Sequence, residues 1–556
     1  MNPVLQSHAT KSGLVRRGET PGVPVPSVAY LALALFYAPP SLAADINDRG
    51  GVSLRWDNTV EYTTAFRLRD RNPARLTDRN ADDGDRNFAS GIISNRFDVL
   101  SQLDVSKAWF GFDASAALWY DTVYNQKNDN NSADTFNPNS VPHNDFTHAV
   151  RALHGERAEL VNAFFYGNTE VAGMPLSFRI GRHTLLWGES LFFSEDGIAA
   201  GQAPVDQIKV LAQPTDYAKD VYLPVAQVSA SLQFPDSLSF EVYYQFEWRK
   251  TRLPGSGSYF STEDYLDAGG ERYLLASGQY LIRDPDLTPP GSGQFGAALR
   301  WSIGPIDYGL YALRFNAKDP QIYYRLGIIE RSGGPLTIID PSIVDLAAGK
   351  VGTYNLVYPT GIEVFGASAS GYLGNSNIAA EISGRRNMPL VSTPLFMPPG
   401  RVADANKNPL YALGDTLHAQ ISTITTFGRN SIWDSANLNA EFAGNLRIAV
   451  TKNNPALDPA RDELAVAFRT NFEPAYFEVL PSLNLTASLG LGYNLVGNSS
   501  TDTYQNRGAG DLEFGVTASY RVVWSASIKL SHFMGNVYRH PLTDRDFMSF
   551  SIQRTF

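Results

Sequence analysis

The residues that could do chemistry are few and scattered. The 556-residue chain has no Cys, which excludes a thiolate nucleophile, a zinc–thiolate centre and a disulfide framework. His143, His148 and His154 share one stretch with Asp145, but their spacing fits no compact metal site. Asp82-Asp83-Gly84-Asp85 and Asn128-Asp129-Asn130-Asn131 offer the oxygen ligands that calcium takes. Neither completes a calcium loop, so both read as acidic surface loops. Gly-x-Ser-x-Gly, His-Glu-x-x-His and P-loop patterns are absent. No catalytic, cofactor-binding or metal-binding residue is therefore expected. A net charge of -10 argues against nucleic acid as a partner, because phosphates are held by clustered Lys and Arg.

One stretch has the composition of a contact surface instead. Residues 189–221 are long for a loop, carry Leu191-Phe192-Phe193 and Val205 to Leu211, and are punctuated by Pro204 and Pro214. Apolar residues at 205, 208, 210 and 211 fit a short helix better than a strand. A loop that must hide Phe and Leu either folds into a lumen as a constriction or packs on neighbouring loops. On the first reading Leu191, Phe192, Phe193, Val210, Leu211 and Tyr217 contact cargo, and Tyr222-Leu223-Pro224 anchors the loop at a strand entry. Glu247 and Arg249, on the facing strand, would then orient the polar end of that cargo.

Such a loop needs a wall, and the pattern of the chain supplies one. In Leu238-Ser-Phe240-Glu-Val242-Tyr-Tyr244-Gln-Phe246-Glu-Trp248-Arg249 every even position is apolar or aromatic. The same alternation runs through 437–450, 482–494, 511–521 and 524–531. These stretches approach the nine to eleven residues that a tilted strand needs to cross lipid. Short breaker turns, such as Gly173-Met174-Pro175, Pro235-Asp236, Gly304-Pro305 and Gly374-Asn375, alternate with long stretches at 70–94, 123–157, 189–221, 251–292, 319–355 and 387–410. The expected fold is all-β: one large antiparallel transmembrane barrel of about 18 strands, with 16 as the alternative. The lumen would carry acids and bases of mixed sign, among them Glu241, Glu381, Glu441, Arg447, Glu513, Arg521 and Lys529, so no single-sign ion filter is expected.

The two ends give the address. Lys11, Arg16 and Arg17 precede the apolar run 28–38, and Ser41-Leu42-Ala43 follows as a small-residue cleavage site. These are the parts of a secretory signal peptide over 1–43, leaving 44–556 as a single barrel domain. The chain stops on Phe550-Ser-Ile552-Gln-Arg554-Thr-Phe556. Phe550, Ile552 and Phe556 resemble the terminal assembly signal of outer-membrane barrels, although Arg554 stands where an aromatic is usual. That likeness implies the barrel-assembly machinery, outer-membrane lipid and lipopolysaccharide as partners.

Leu54-Arg-Trp-Asp57, Asp82-Asp-Gly84-Asp-Arg-Asn87-Phe88, Leu186-Trp-Gly-Glu-Ser190, Tyr244-Gln-Phe-Glu-Trp248 and Gly257-Ser-Tyr-Phe-Ser-Thr262 together resemble the Gram-negative outer-membrane family of the domain of unknown function 1302. His183 and Thr184 depart from that pattern after Arg182. The resemblance implies an outer-membrane barrel and hydrophobic cargo such as lipid-, steroid- or aromatic-like molecules. It also implies a periplasmic lipoprotein-like partner and an RND-type pump. Three functions follow as expectations: a porin-like channel for hydrophobic or amphipathic molecules, a passive outer-membrane partner of an RND-type exporter, or a hydrolase active at the rim.

Overall fold

The computed structural model describes the chain except for residues 1–43, 48–50, 214–220, 276–277, 331–335 and 502–505. The expected signal peptide lies outside the described residues, as does Tyr217.

Eighteen strands form one closed antiparallel barrel. In chain order they are β1 Val52–Arg67, β2 Gly91–Lys107, β3 Phe110–Asp121, β4 Glu156–Val171, β5 Met174–His183 and β6 Val225–Gln233. Then come β7 Ser239–Gln245, β8 Gln294–Ile303, β9 Ile306–Phe315, β10 Ile362–Leu373, β11 Ser376–Pro389 and β12 Leu413–Phe427. The last six are β13 Ser435–Lys452, β14 Leu464–Leu480, β15 Leu483–Val496, β16 Gly510–Tyr520, β17 Trp524–Met534 and β18 Phe547–Thr555. Each strand pairs with its sequence neighbour, and β18 closes on β1 from Thr59–Thr555 to Arg67–Phe547.

The wall is turned inside out relative to a soluble sheet. On β13, Phe442 is 48% and Ile448 61% exposed, while Glu441 is fully buried. Apolar side chains on the outer face and polar ones within are what a lipid-embedded wall requires. A closed ladder also leaves no unpaired strand edge in hydrocarbon.

The carboxy-terminal residue seals the seam. Phe556 donates its N–H to the Asn58 carbonyl at 2.9 Å and accepts the Asn58 N–H at 2.8 Å. The guanidinium of Arg554, the residue that departs from the assembly pattern, lies 5.3 Å from the Trp524 ring and 5.4 Å from the Phe556 ring. It sits between two aromatics as a cation–π partner.

Short turns gather at one end of the barrel and long loops at the other. Arg521, expected in the lumen, lies in the short turn after β16 with a positive φ. The long loops are not loose polar segments. A five-stranded sheet, ordered Leu395–Phe396, Gln321–Leu326, Lys350–Val357, Tyr280–Arg283 and Arg272–Leu274, is built from three of them. Tyr323, Tyr354, Leu281 and Val351 are buried in this assembly.

Candidate functional site

Between β5 and β6 the chain turns inward over residues 184–213 and is fixed to the lumen side of the wall. Its hinge is Leu186-Trp187-Gly188-Glu189-Ser190. The indole of Trp187 is buried, donates to Glu241 on β7 at 2.7 Å, and meets Tyr243 edge-on. Its backbone N–H goes to the Gln202 side chain, and Gln245 donates to the Gln202 carbonyl. Gly188 has φ +89°, and a Cβ there would lie 2.3 Å from a Glu381 oxygen. Only glycine allows both that backbone and that approach.

Beyond the hinge the loop hangs on two wall carboxylates. Glu381, on β11, accepts the N–H groups of Glu189 at 2.6 Å and Ile198 at 2.8 Å. Glu441, on β13, accepts three successive N–H groups, from Leu191, Phe192 and Phe193, at 2.5 to 3.1 Å. Successive amides converging on one carboxylate form an anion-binding nest, here with the anion on the wall. Arg385 donates to the carbonyls of Glu195, Asp196 and Gly197, and Gln420 to that of Phe193. Lys318, at the top of β9, donates to the carbonyls of Ala200 and Gly201. Burial pushes the Lys318 ammonium down to about 7, so the loop is held by a lysine that gives up its proton easily.

A cavity of about 700 Å³ opens against this loop. Phe192, Phe193, Val210 and Leu211 line it from the inward loop, with Phe260 from the loop after β7. Across from them the wall contributes the Arg469–Asp511 ion pair, joined at 2.5 Å, together with Tyr493. Each side mixes apolar and polar groups: Glu195 and Gln207 stand among the loop's apolar residues, and Phe468 stands beside the wall's ion pair.

The structure therefore brings together four of the residues read as contacts. The helix expected in this loop is Gln207–Ala212, with the Asp206 side chain capping the N–H of Lys209. Leu191 is not among the cavity-lining residues; its N–H faces Glu441 instead. Glu247 and Arg249 are corrected: they do not stand on a facing strand, because β7 ends at Gln245. In the β6–β7 register residue 248 would fall opposite Pro224, which has no N–H to give the ladder. Glu247 instead pairs with Arg182 at 2.6 Å and accepts the Ala226 N–H, and Arg249 donates to the Pro224 carbonyl. Neither lines the cavity.

The acidic segments are corrected too. Asp82, Asp83 and Asp85 are buried, not on the surface. They open a one-turn helix, Asp83–Arg86, that packs against the other long loops. Asn130 donates to Asp83 at 3.1 Å, so the two oxygen-rich segments meet each other. Arg67 and Arg545 both reach Asp85, at 3.0 and 2.9 Å. Asn87 donates to the carbonyl of Gly257, and Arg545 to those of Tyr259 and Ser261. The three histidines of the loop after β3 do not converge. His154 stacks on Tyr124 and accepts the Gly255 N–H, and burial pushes it down to about 3.

Sequence reasoning missed Glu381 and Glu441 as anchors, having placed them only as lumen charges. Charge alone did not single them out, since Arg385 shares the inward face of Glu381.

Fold and site together define a closed transmembrane β-barrel whose lumen holds an inward-folded loop. The chain belongs to the family described as "Protein of unknown function (DUF1302)", whose model matches residues 25–556. Of the segments that carry the family resemblance, Leu186–Ser190 and Tyr244–Trp248 bear on the inward loop, and Asp82–Phe88 and Gly257–Thr262 on the buried acidic helix. No curated protein matches the chain. Among solved structures it is similar to the outer membrane channel DcaP of Acinetobacter baumannii, at 8% identity and a TM-score of 0.37, covering 92% of this chain and 100% of that one. OccAB4 of Acinetobacter baumannii is similar at 11% identity and a TM-score of 0.41, covering 90% and 97%. A BenF-like porin from Pseudomonas fluorescens Pf-5 is similar at 7% identity and a TM-score of 0.40, covering 92% and 99%. Similarity this remote carries no function across.

Proposed function

We propose that this protein is an outer-membrane channel for hydrophobic or amphipathic small molecules, and that the loop 184–213 sets its bore. The observation that supports this reading is the loop itself, hung from Glu381 and Glu441 with Phe192, Phe193, Val210 and Leu211 turned to one cavity. A cavity with an apolar cluster from the loop and an ion pair on the wall suits a molecule with a greasy body and a polar end. An RND-type pump and a periplasmic lipoprotein-like protein would meet such a barrel at its short-turn end. The test is removal of residues 189–213 from the full chain. Conductance to small ions in a planar bilayer should rise, and growth on a hydrophobic substrate should fail. Unchanged conductance with intact growth would sink the reading.

The hydrolase reading has one geometric feature to answer. Thr416 Oγ1 lies 2.9 Å from His418 Nε2, and His418 Nδ1 lies 2.6 Å from Asp196. That is the connectivity of a nucleophile, base and orienting acid. All three residues are only 1% exposed, leaving no room for a substrate carbonyl at the hydroxyl. Asn445 also donates to Asp196, so the group works as a further clamp on the loop. We assign the protein no catalytic role.

A further inference from the structure

Three buried carboxylates outside the inward loop share a single cation, Arg86. Asp82 and Asp83 come from the loop after β1 and Asp264 from the loop after β7, and all three are fully buried. One oxygen from each lies within 4.8 Å of those of the other two. Two calcium–oxygen bonds of about 2.4 Å span that distance.

The neighbouring arginines are already engaged. Arg86 is bound to Asp82 Oδ2 at 2.5 Å. Arg67 and Arg545 are taken by Asp85 and by Asp544. Asp83 and Asp264 form no ion pair among the described residues. Asp83 is met only by neutral donors, Asn130 Nδ2 at 3.1 Å and the Asn137 N–H at 3.0 Å. Asp264 Oδ2 accepts the Asp83 N–H at 2.9 Å. Ionised together, three acids and one base would leave two negative charges in a water-poor core, the charge of one divalent cation.

Unfilled lone pairs point the same way. Asp82 Oδ1 and Asp264 Oδ1 are buried without a hydrogen-bond partner. So is Oδ1 of Asn137, a neutral residue that is itself fully buried and grips Asp83 through its backbone. Each such orphan costs about 1–3 kcal/mol if nothing fills it.

We propose that Asp82, Asp83 and Asp264 form a binding site for a divalent cation, calcium by its chemistry, that ties the long loops together over the barrel. Hard carboxylate oxygens brought together from separate loops suit calcium better than magnesium, which demands a tighter octahedron. Without the cation, burial pushes Asp83 up to about 8 and Asp264 well above the usual carboxylate range. Cation binding should therefore expel protons at neutral pH.

The experiment uses the full chain in detergent, stripped with chelator and titrated with calcium chloride alone at pH 7. Calorimetry in two buffers of different protonation enthalpy counts both the calcium and the protons. One calcium per chain with proton release is expected, and the temperature at which the unheated gel form is lost should rise. D83N/D264N should abolish uptake while keeping the unheated gel form, and D134N, at an exposed acid of the loop after β3, should bind as the parent does. If the double variant loses the folded form, D82N decides, with affinity expected to fall at least roughly tenfold. Folded parent protein that takes up no calcium, or uptake unchanged in D83N/D264N or in D82N, would overturn the site.

Discussion

Two sets of buried carboxylates in this barrel are satisfied in opposite ways. Glu381 and Glu441 stand on strands of the wall and have their oxygens filled by backbone amides of one inward loop. Asp82 and Asp264 stand on long loops beside Asp83, and each keeps one buried oxygen that no hydrogen bond fills. The first arrangement is complete within the chain, so its product is position: the acid fixes where a flexible segment lies. The second is incomplete, so its product is affinity for something outside the chain. A buried acid is thus informative only once its lone pairs are counted.

The largest effect should come from the wall that both regions need. Deleting Phe556 removes both backbone bonds to Asn58 at the seam. The heat-modifiable band of the unheated protein should be lost, and neither region should then form. A shift that survives the deletion would mean that the barrel closes without its last residue.

Next in size is release of the inward loop. In E381Q/E441Q each side chain has one acceptor oxygen where two were used, so N–H groups are stranded at about 1–3 kcal/mol each. Unit conductance should approach that of the loop deletion, and added protease should cut within 189–213. Neither change should appear in D83N/D264N, and if it did the two regions would not be independent.

Gly188→Ala is a milder form of the same test. The new Cβ would meet the Glu381 carboxylate and hold an unfavourable φ, costing about 1–3 kcal/mol. Conductance should flicker between the parent level and a higher one.

The smallest effect is on pH. The Lys318 pKa is lowered by docking from 10.5 to about 7. The undocked loop therefore binds more protons between those values, and docking strengthens as pH rises from about 7 towards 10. Open-level noise should fall over that window in the parent and stay flat in K318M.

Much of the fold could be read without coordinates. Period-two alternation in 437–450 and 482–494, breakers at Gly304-Pro305 and Gly374-Asn375, and loops of alternating length are local features, and each survives as a strand, a turn or a long loop. Stretches such as 123–157 read only as long loops, with no sign of what they pack against. Their few aromatics, among them Tyr124 and Phe146, are buried in a shared cluster with Phe88 and Tyr259. Those residues lie far apart in the chain, so no window of sequence shows that they meet.

What the sequence determined by itself was the wall: an alternating pattern must put one face in lipid and one in the lumen, whatever else the chain does. Tertiary structure alone decided what fills the wall. Glu441 lies 250 residues from the Leu191 amide it accepts, and Asp83 lies 181 residues from Asp264. Closing the barrel fixes such distances through strand number and register, which no local pattern encodes.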